Sequence, residues 1–452
     1  MKLRVFKKFI PQFIWRKIEK NPELQKIVAN INWLFFDKAI QMAVAFFVGV
    51  WVIRYLGPER YGTLSYAIAF VAFFGVVAKV GMDNIAVREF VKKPEEKGRI
   101  FGTLFVLKFF AGIIAFISSL VAVFFVNSGD ALVFWLIFVI ALGFVFQASD
   151  VFDFWFQSQV KSKYSVYVRS GVNILSGLIK IGLILSKAPL IAFAWVLLFG
   201  SMATFFGMII VFLYNYKKFS AFKVNVHIGK KILADSWPLI LSGIAITIYS
   251  RIDQIMIGNM LDNRSLGYYS AAVSLSEIWS FFPVVIAGSV FPAILYVKNK
   301  QNSLYIKRLQ ILYDFMFWSA LIIAVPVSFF SKSIVYFLYG ANFSQSATVV
   351  SIYVWAEIAV FLGVASSKFL IAENLTRISF YRTAIGAVVN VILNLILIPR
   401  YGISGAALAT LISYFIAVFS IVLFKKSRIN LFLFLNMFNI LRIFRMLKNI
   451  KI

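Results

Sequence analysis

Five cations, Lys38, Lys108, Lys180, Arg251 and Lys368, stand inside long apolar stretches of this 452-residue chain, together with the acids Asp253, Glu277 and Glu357. Ionisable groups in such stretches are costly and normally face a bundle interior or a watery cavity. Side chains three, four or seven residues apart share one helical face, so spacing shows which polar groups they accompany. Ser170, Asn173, Gly177 and Lys180 form one stripe, and Thr247, Ser250, Arg251, Gln254 and Gly258 another. Ser270, Ser274 and Glu277 align, as do Glu357 with Lys368, and Thr383 with Asn390 and Asn394. Lys108 sits with Gly112, Ala115 and Ser119, and Asp37, Lys38 and Gln41 cluster early in the chain. Cations in a polar cavity suit an anionic, hydroxyl-rich ligand, and a guanidinium is shaped for phosphate oxygens. Arg251, Lys180, Lys108 and Lys38 are therefore the candidate ligand-binding residues, the first two foremost. Asp253, Glu277 and Glu357 are candidates for carrying a coupled ion. The competing role for each is an interhelical ion pair or polar glue between helices. Asp150, Asp153, Asp314 and Lys368 lie nearer the span ends and read that way.

Other chemistry lacks its residues. There is no cysteine and a single histidine, His227, so thiol redox chemistry, iron–sulfur clusters and a Cys/His zinc site have no ligands. No G-x-x-x-x-G-K-[ST], G-x-S-x-G or H-E-x-x-H occurs. Asp150 and Asp153 share a helical face but have no neighbouring histidine or loop, which makes a poor metal site. The expectation is no catalytic residue, no metal and no cofactor.

The elements that carry these charges follow from composition. Hydrophobic residues make up 61%, charged residues 14%, and the mean hydropathy is +0.87, far from the balance of a soluble domain. Apolar stretches of spanning length fall at 31–53, 63–82, 100–126, 131–154, 165–186, 189–214, 234–258, 266–296, 305–330, 346–371, 377–398 and 403–424. Backbone polar groups in lipid must pair within their own segment, so these are read as helices; the ten-residue alternation of a β-barrel is missing. The first thirty residues, broken by Lys, Arg and two prolines, do not read as a cleavable signal peptide.

The net charge is +28, from 46 Lys+Arg against 18 Asp+Glu. With the N-terminus inside, segments 1–30, 79–99, 155–170, 215–233, 297–308, 372–382 and 425–452 hold 35 of the cations, and the outer connections hold six. That bias is what the positive-inside rule expects. Both termini are placed in the cytoplasm, and the scattered charge reads as an orientation signal, not a nucleic-acid footprint. The tail reads as a basic amphipathic helix on the membrane surface, with Phe432, Leu435, Phe438 and Leu441 against Arg442, Arg445 and Lys448.

A shift of 205 residues lays Gly62-Thr63-Leu64-Ser65-Tyr66-Ala67 on Gly267-Tyr268-Tyr269-Ser270-Ala271-Ala272, and Leu56 on Leu261. Six spans lie on each side of the basic loop 215–233, so both halves enter from the same side and the repeat is parallel, a transporter architecture. The expected fold is an all-α polytopic membrane protein, with twelve transmembrane helices in two pseudo-symmetric six-helix bundles around a central cavity. Its parts are a basic segment 1–30, an N-terminal bundle 31–214, the linker 215–233, a C-terminal bundle 234–424 and the tail 425–452.

The run Arg54-Tyr55-Leu56-Gly57-Pro58-Glu59-Arg60-Tyr61-Gly62, with Gly81 and Val87-Arg88-Glu89, resembles the first hairpin of polysaccharide repeat-unit flippases. Arg251-Ile252-Asp253-Gln254-Ile255-Met256-Ile257-Gly258, followed by Leu266-Gly267-Tyr268-Tyr269-Ser270-Ala271-Ala272, is similar to their seventh and eighth spans. The resemblance is to the flippase branch of the multidrug/oligosaccharidyl-lipid/polysaccharide exporter superfamily and covers nearly the whole chain in length and span count. It implies two bundles in a V around a cationic cavity, in the inner cell membrane. The implied cargo is a polyprenyl-pyrophosphate-linked oligosaccharide, turned from the cytoplasmic to the outer leaflet for O-antigen, capsule or similar polymer assembly. The implied partners are membrane lipids and other membrane proteins of polysaccharide assembly. The related lipid II flippases differ in having fourteen helices, an Arg-Asp pair where this chain has Asp37-Lys38, and a cation in the eighth helix where this chain has Glu277. The four candidate cations thus rest on cavity charge, not on a family motif position. Two rival functions are a drug/cation antiporter of the same superfamily, which would want an acidic cavity, and a membrane-embedded glycan polymerase or ligase, which usually needs a sizeable outer loop.

Overall fold

Long apolar runs leave the backbone no hydrogen-bond partner but itself in lipid, and the chain answers with helices. The computed structural model describes residues 22–126, 129–216, 223–298 and 301–438, and among these no strand occurs. The helices are α1 (Pro22–Lys79), α2 (Asp83–Lys92), α3 (Lys97–Val126), α4 (Ala131–Phe146), α5 (Asp150–Ser158), α6 (Lys163–Leu185), α7 (Leu190–Asn215) and α8 (Val226–Met260). They continue with α9 (Asn263–Ser276), α10 (Phe281–Lys298), α11 (Asn302–Phe329), α12 (Ser331–Tyr339), α13 (Ser346–Tyr353), α14 (Ala356–Ala372), α15 (Thr376–Phe419) and α16 (Ile429–Asn436).

Ten segments among the described residues are long and apolar enough to cross a membrane. Two of them hold a break. At 58 residues α1 would run about 87 Å if straight, against a hydrocarbon core of about 30 Å. It is interrupted at Gly57, whose φ of 69° and ψ of 174° are not helical, and Pro58 follows. No neighbouring atom crowds a side chain at Gly57, so the backbone conformation, not space, calls for glycine. The 44-residue α15 breaks in the same way at Gly402, three residues after Pro399. Each break divides one of the two longest segments into two helical stretches.

The chain divides into two compact units, one of the residues up to Val52 with Phe70–Leu241, the other of Ile53–Ala69 with Ser242 onward. The core of the first is an aromatic cluster in which Phe101 stacks on Phe212 at 5.2 Å and Phe152 meets Phe212 edge-on at 5.1 Å. The second packs around Tyr313, Phe361, Leu362 and Phe434.

Segment 53–69, which the sequence reading puts in the N-terminal bundle, belongs by contact to the second unit. The cause is a close helix approach. A Cβ on Gly62 would lie 1.6 Å from the Asn263 carbonyl oxygen, and one on Gly267 would lie 1.8 Å from that of Pro58. Gly62 and Gly267 are 205 residues apart, and so are Pro58 and Asn263. Residue i meets j′ while i′ meets j, which is the signature of a two-fold-related contact. The internal repeat is realised here as a backbone-to-backbone junction. Tyr66 secures it by donating to Asn259 Oδ1 at 2.9 Å.

The tail also differs from expectation in its described part. One face of α16 is buried in the second unit: Tyr313 donates its hydroxyl proton to Asn430, Gln310 Nε2 donates to the Leu433 carbonyl at 3.0 Å, and Leu433 and Phe434 are buried. Phe432, Leu435 and Phe438 form the outward face. Leu441, Arg442, Arg445 and Lys448 lie outside the described residues, as do 1–21.

Candidate functional site

A cavity of about 370 Å³ opens within the first unit, between α1, α4, α6 and α7. Two thirds of its lining is polar or charged, including Gln41, Gln147, Asn173, Ser176, Ser201 and Thr204, in helices otherwise rich in Leu, Ile, Val and Phe. The charged lining residues are Asp150, Arg169 and Lys180. Asp150 accepts a hydrogen bond from Lys108 Nζ at 2.9 Å. Arg169 donates to Asp153 Oδ2 at 2.6 Å. Lys180 makes no ion pair among the described residues. Two of the three charges are thus neutralised locally, and the Lys180 ammonium is left facing the cavity. Lys180 is half-buried, and an ammonium that faces a polar cavity without an ion-pair partner suits an entering anion.

The four candidate cations fall into four environments. Lys180 lines the cavity. Lys108, fully buried, sits between Asp150 and Asp83, the latter at 3.8 Å. Lys38 is exposed on α1, while its neighbour Asp37 is buried and accepts from Ser170 Oγ at 2.9 Å and from Gln41 Nε2 at 3.0 Å. Arg251 belongs to the second unit, where its Nη2 lies 3.6 Å from Glu277 Oε2 with both side chains about one-third exposed.

The acids of the second unit are held differently from one another. Asp253 is buried and accepts hydrogen bonds from the Tyr269 hydroxyl and from Thr410 Oγ1 at 3.3 Å. Glu357 is buried and accepts from Ser280 Oγ at 2.7 Å. Lys368, on the same helix as Glu357, instead sits over the Phe291 ring at 5.1 Å. Asn390 and Asn394 are buried, Asn394 donating to Asn390 at 3.0 Å and Asn390 to Ser413 at 3.2 Å, which is the gluing role.

Three acids share a local position, at a break in the regular helical ladder. Asp150 opens α5 directly after a 3-10 turn at Gln147–Ser149, Glu277 opens a 3-10 turn at Glu277–Ser280, and Glu357 is the second residue of α14 after the break at 354–355. At each break the backbone N–H of the acid is bonded to the preceding turn, Asp150 to Ala148, Glu277 to Val273 and Glu357 to Val354. Such interruptions at membrane depth are tolerated where protein or a cavity surrounds them.

Sequence spacing found Asn173 and Lys180 but set their stripe one position off. Ser170 and Gly177 turn away, Ser170 to Asp37 and Gly177 against Val44, while Arg169 and Ser176 face the cavity. Arg169 was counted as a loop cation, and Gln147, Ser201 and Thr204 were missed. Ser201 and Thr204, three apart in an apolar helix with Gly200 beside them, are the signal that could have found the opposite wall.

Apolar helices of spanning length, interrupted at their carboxylates and hollowed by a polar cavity, define a multi-pass membrane protein. The chain belongs to the polysaccharide biosynthesis protein family, whose sequence model matches residues 27–297; a second model, MatE, matches residues 238–396. The capsular polysaccharide biosynthesis protein CapF of Staphylococcus aureus is 20% identical over 405 residues, 88% of this chain and 99% of CapF. The probable low-salt glycan biosynthesis flippase Agl15 of Haloferax volcanii is 27% identical over 179 residues, which is 39% of this chain and only 37% of that relative's length. Among solved structures, the lipid II flippase MurJ in an inward closed conformation shares the fold with a TM-score of 0.69 at 18% identity, covering 88% of this chain and 87% of MurJ. The resemblance read from the sequence is borne out in family and in fold.

Proposed function

We propose that this protein is a flippase that carries a polyprenyl-pyrophosphate-linked oligosaccharide from the cytoplasmic to the outer leaflet by alternating access, for cell-surface polysaccharide assembly. The observation that carries the reading is Lys180, an ammonium with no ion-pair partner among the described residues, in a hydroxyl- and amide-lined cavity inside an apolar bundle. A pyrophosphate supplies the missing negative charge, and sugar hydroxyls match the Gln, Asn, Ser and Thr lining. Agl15 and MurJ are named as flippases, of glycan biosynthesis and of lipid II, and CapF as a capsular polysaccharide biosynthesis protein, which supports this reading.

Lys180 is assigned the pyrophosphate at the cavity of the first unit, and Arg251 is assigned a separate contact with the cargo in the second. Lys108 acts through Asp150, fixing the charge balance of the cavity wall, and the exposed Lys38 offers an early contact. An inside-negative potential favours outward movement of an anion by roughly 2.3 kcal/mol per charge per 100 mV, so no nucleotide is required. Asp253, Glu277 and Glu357 are the groups assigned to a coupled proton or cation. The chain crosses the inner membrane twelve times with both termini in the cytoplasm, which the 35-to-6 distribution of cations supports. It performs no covalent chemistry, and it works beside other membrane proteins of polysaccharide assembly.

The MatE match favours a second reading, a drug/cation antiporter. Cavity charge argues against it: once Asp150 and Arg169 are paired, the remaining charge is positive. Reconstituted vesicles separate the readings. Transfer of a labelled lipid-linked sugar between leaflets is expected; drug-driven proton flux, or formation of a glycosidic bond, in its place would refute the proposal.

A further inference from the structure

A second hollow, of about 460 Å³, lies in the second unit and has the opposite character. Tyr381, Ala384, Ile385, Val388 and Val389 of α15 line it with Phe424, and apart from the Tyr381 hydroxyl no lining side chain is polar. The Tyr381 and Phe424 rings stack at 5.9 Å. From Tyr381 to Val389 the groove follows about 12 Å of helix.

Its surroundings are cationic. Arg377 stands one turn before Tyr381, on the same helical face, and Lys425 and Lys426 follow Phe424 directly; all three are exposed. None makes an ion pair among the described residues. The nearby Glu373 is already engaged, by the Tyr305 hydroxyl at 2.8 Å and Lys298 at 3.2 Å. Arg382, by contrast, points inward and donates to Ser366 at 2.6 Å and Ser367 at 2.8 Å. Past these lysines, α16 presents a further exposed apolar face, Leu431, Phe432, Leu435 and Phe438, as expected of a helix lying in the acyl boundary.

We propose that this groove seats one acyl chain of an anionic phospholipid of the cytoplasmic leaflet, whose phosphate is held by Arg377, Lys425 and Lys426. The apolar lining selects a hydrocarbon chain, and the three unpaired cations at its end select a negative headgroup. Basic sites at the cytoplasmic ends of membrane helices hold anionic lipids by this combination. The assignment uses the inside placement of 372–382 and 425–452 and does not depend on the transported cargo.

The test uses the full chain in nanodiscs of mixed phosphatidylglycerol and phosphatidylcholine, with a photoreactive acyl chain on one lipid at a time. Crosslinks from phosphatidylglycerol should concentrate on 381–389 and Phe424, exceeding those from phosphatidylcholine by about fivefold, the ratio for about 1 kcal/mol of surface attraction. Val388→Trp, a change at an exposed position that fills the groove, should remove them while the thermal transition stays in place. Lys425→Gln with Lys426→Gln should keep the crosslinks but equalise the two lipids. Equal labelling by both lipids in the unaltered protein, labelling spread evenly over other exposed apolar faces, or labelling unchanged by Val388→Trp would overturn the proposal. So would displacement by a polyprenyl phosphate against which excess phosphatidylglycerol cannot compete.

Discussion

Lys108 and Lys180 are both lysines in apolar helices of the first unit, yet their surroundings differ in kind. Lys108 is sealed from solvent and clamped by Asp150 and Asp83. Lys180 lines a polar cavity whose other charges are already paired. A clamped cation fixes geometry, since its field is spent on its partners. An unpaired one in a cavity exerts its field on whatever enters. Intramembrane charge therefore nominates positions, and the partner decides the role.

The sharpest way to break this contrast is at Lys108. Lys108→Met leaves Asp150, one-third exposed, without its partner and should cost about 1 kcal/mol, read as a lower thermal transition and reduced protein level. Lys180→Met removes an unpaired ammonium from an apolar bundle and should leave stability unchanged or raise it. If both variants lose stability equally, the contrast is false.

Next in size are the two residues assigned to the cargo. Arg251→Ala should abolish polymer export at normal protein level; export equal to the unaltered protein would refute its role. Glu277→Gln frees Arg251 from its 3.6 Å partner and should retain export while changing its dependence on an imposed proton or sodium gradient severalfold, measured in vesicles. The smallest effect is expected at the exposed Lys38, where Lys38→Gln should slow export by about twofold or less, in keeping with a surface charge. A large loss there would move the site toward α1.

The helical spans, the repeat and the polar surroundings of Lys180 were legible because hydropathy, periodicity and charge are properties of single segments. What was not legible depended on partners far apart in sequence. Nothing local to Lys108 announces Asp150, 42 residues on. The docking of 53–69 on the second unit needs the reciprocal approach of Gly62 and Gly267, although the 205-residue shift had already paired those glycines. The turn at Gln147–Ser149, which brings Gln147 and Ser149 to the cavity, lies inside a run that hydropathy reads as one helix. The outward stripe of α16 was read correctly as apolar, but its inner face, carried by Asn430, Leu433 and Phe434, gives no periodic signal of its own because both faces are hydrophobic.

The central claim is that the Lys180 ammonium receives a pyrophosphate. It is tested most directly by comparing, in vesicles, leaflet transfer of a polyprenyl-pyrophosphate-linked sugar with that of the same sugar on an uncharged polyprenyl ether. Lys180→Ala should slow the first by at least about tenfold, equivalent to about 1.4 kcal/mol, and leave the second unchanged. Equal slowing of both cargoes, or of neither, would contradict the account.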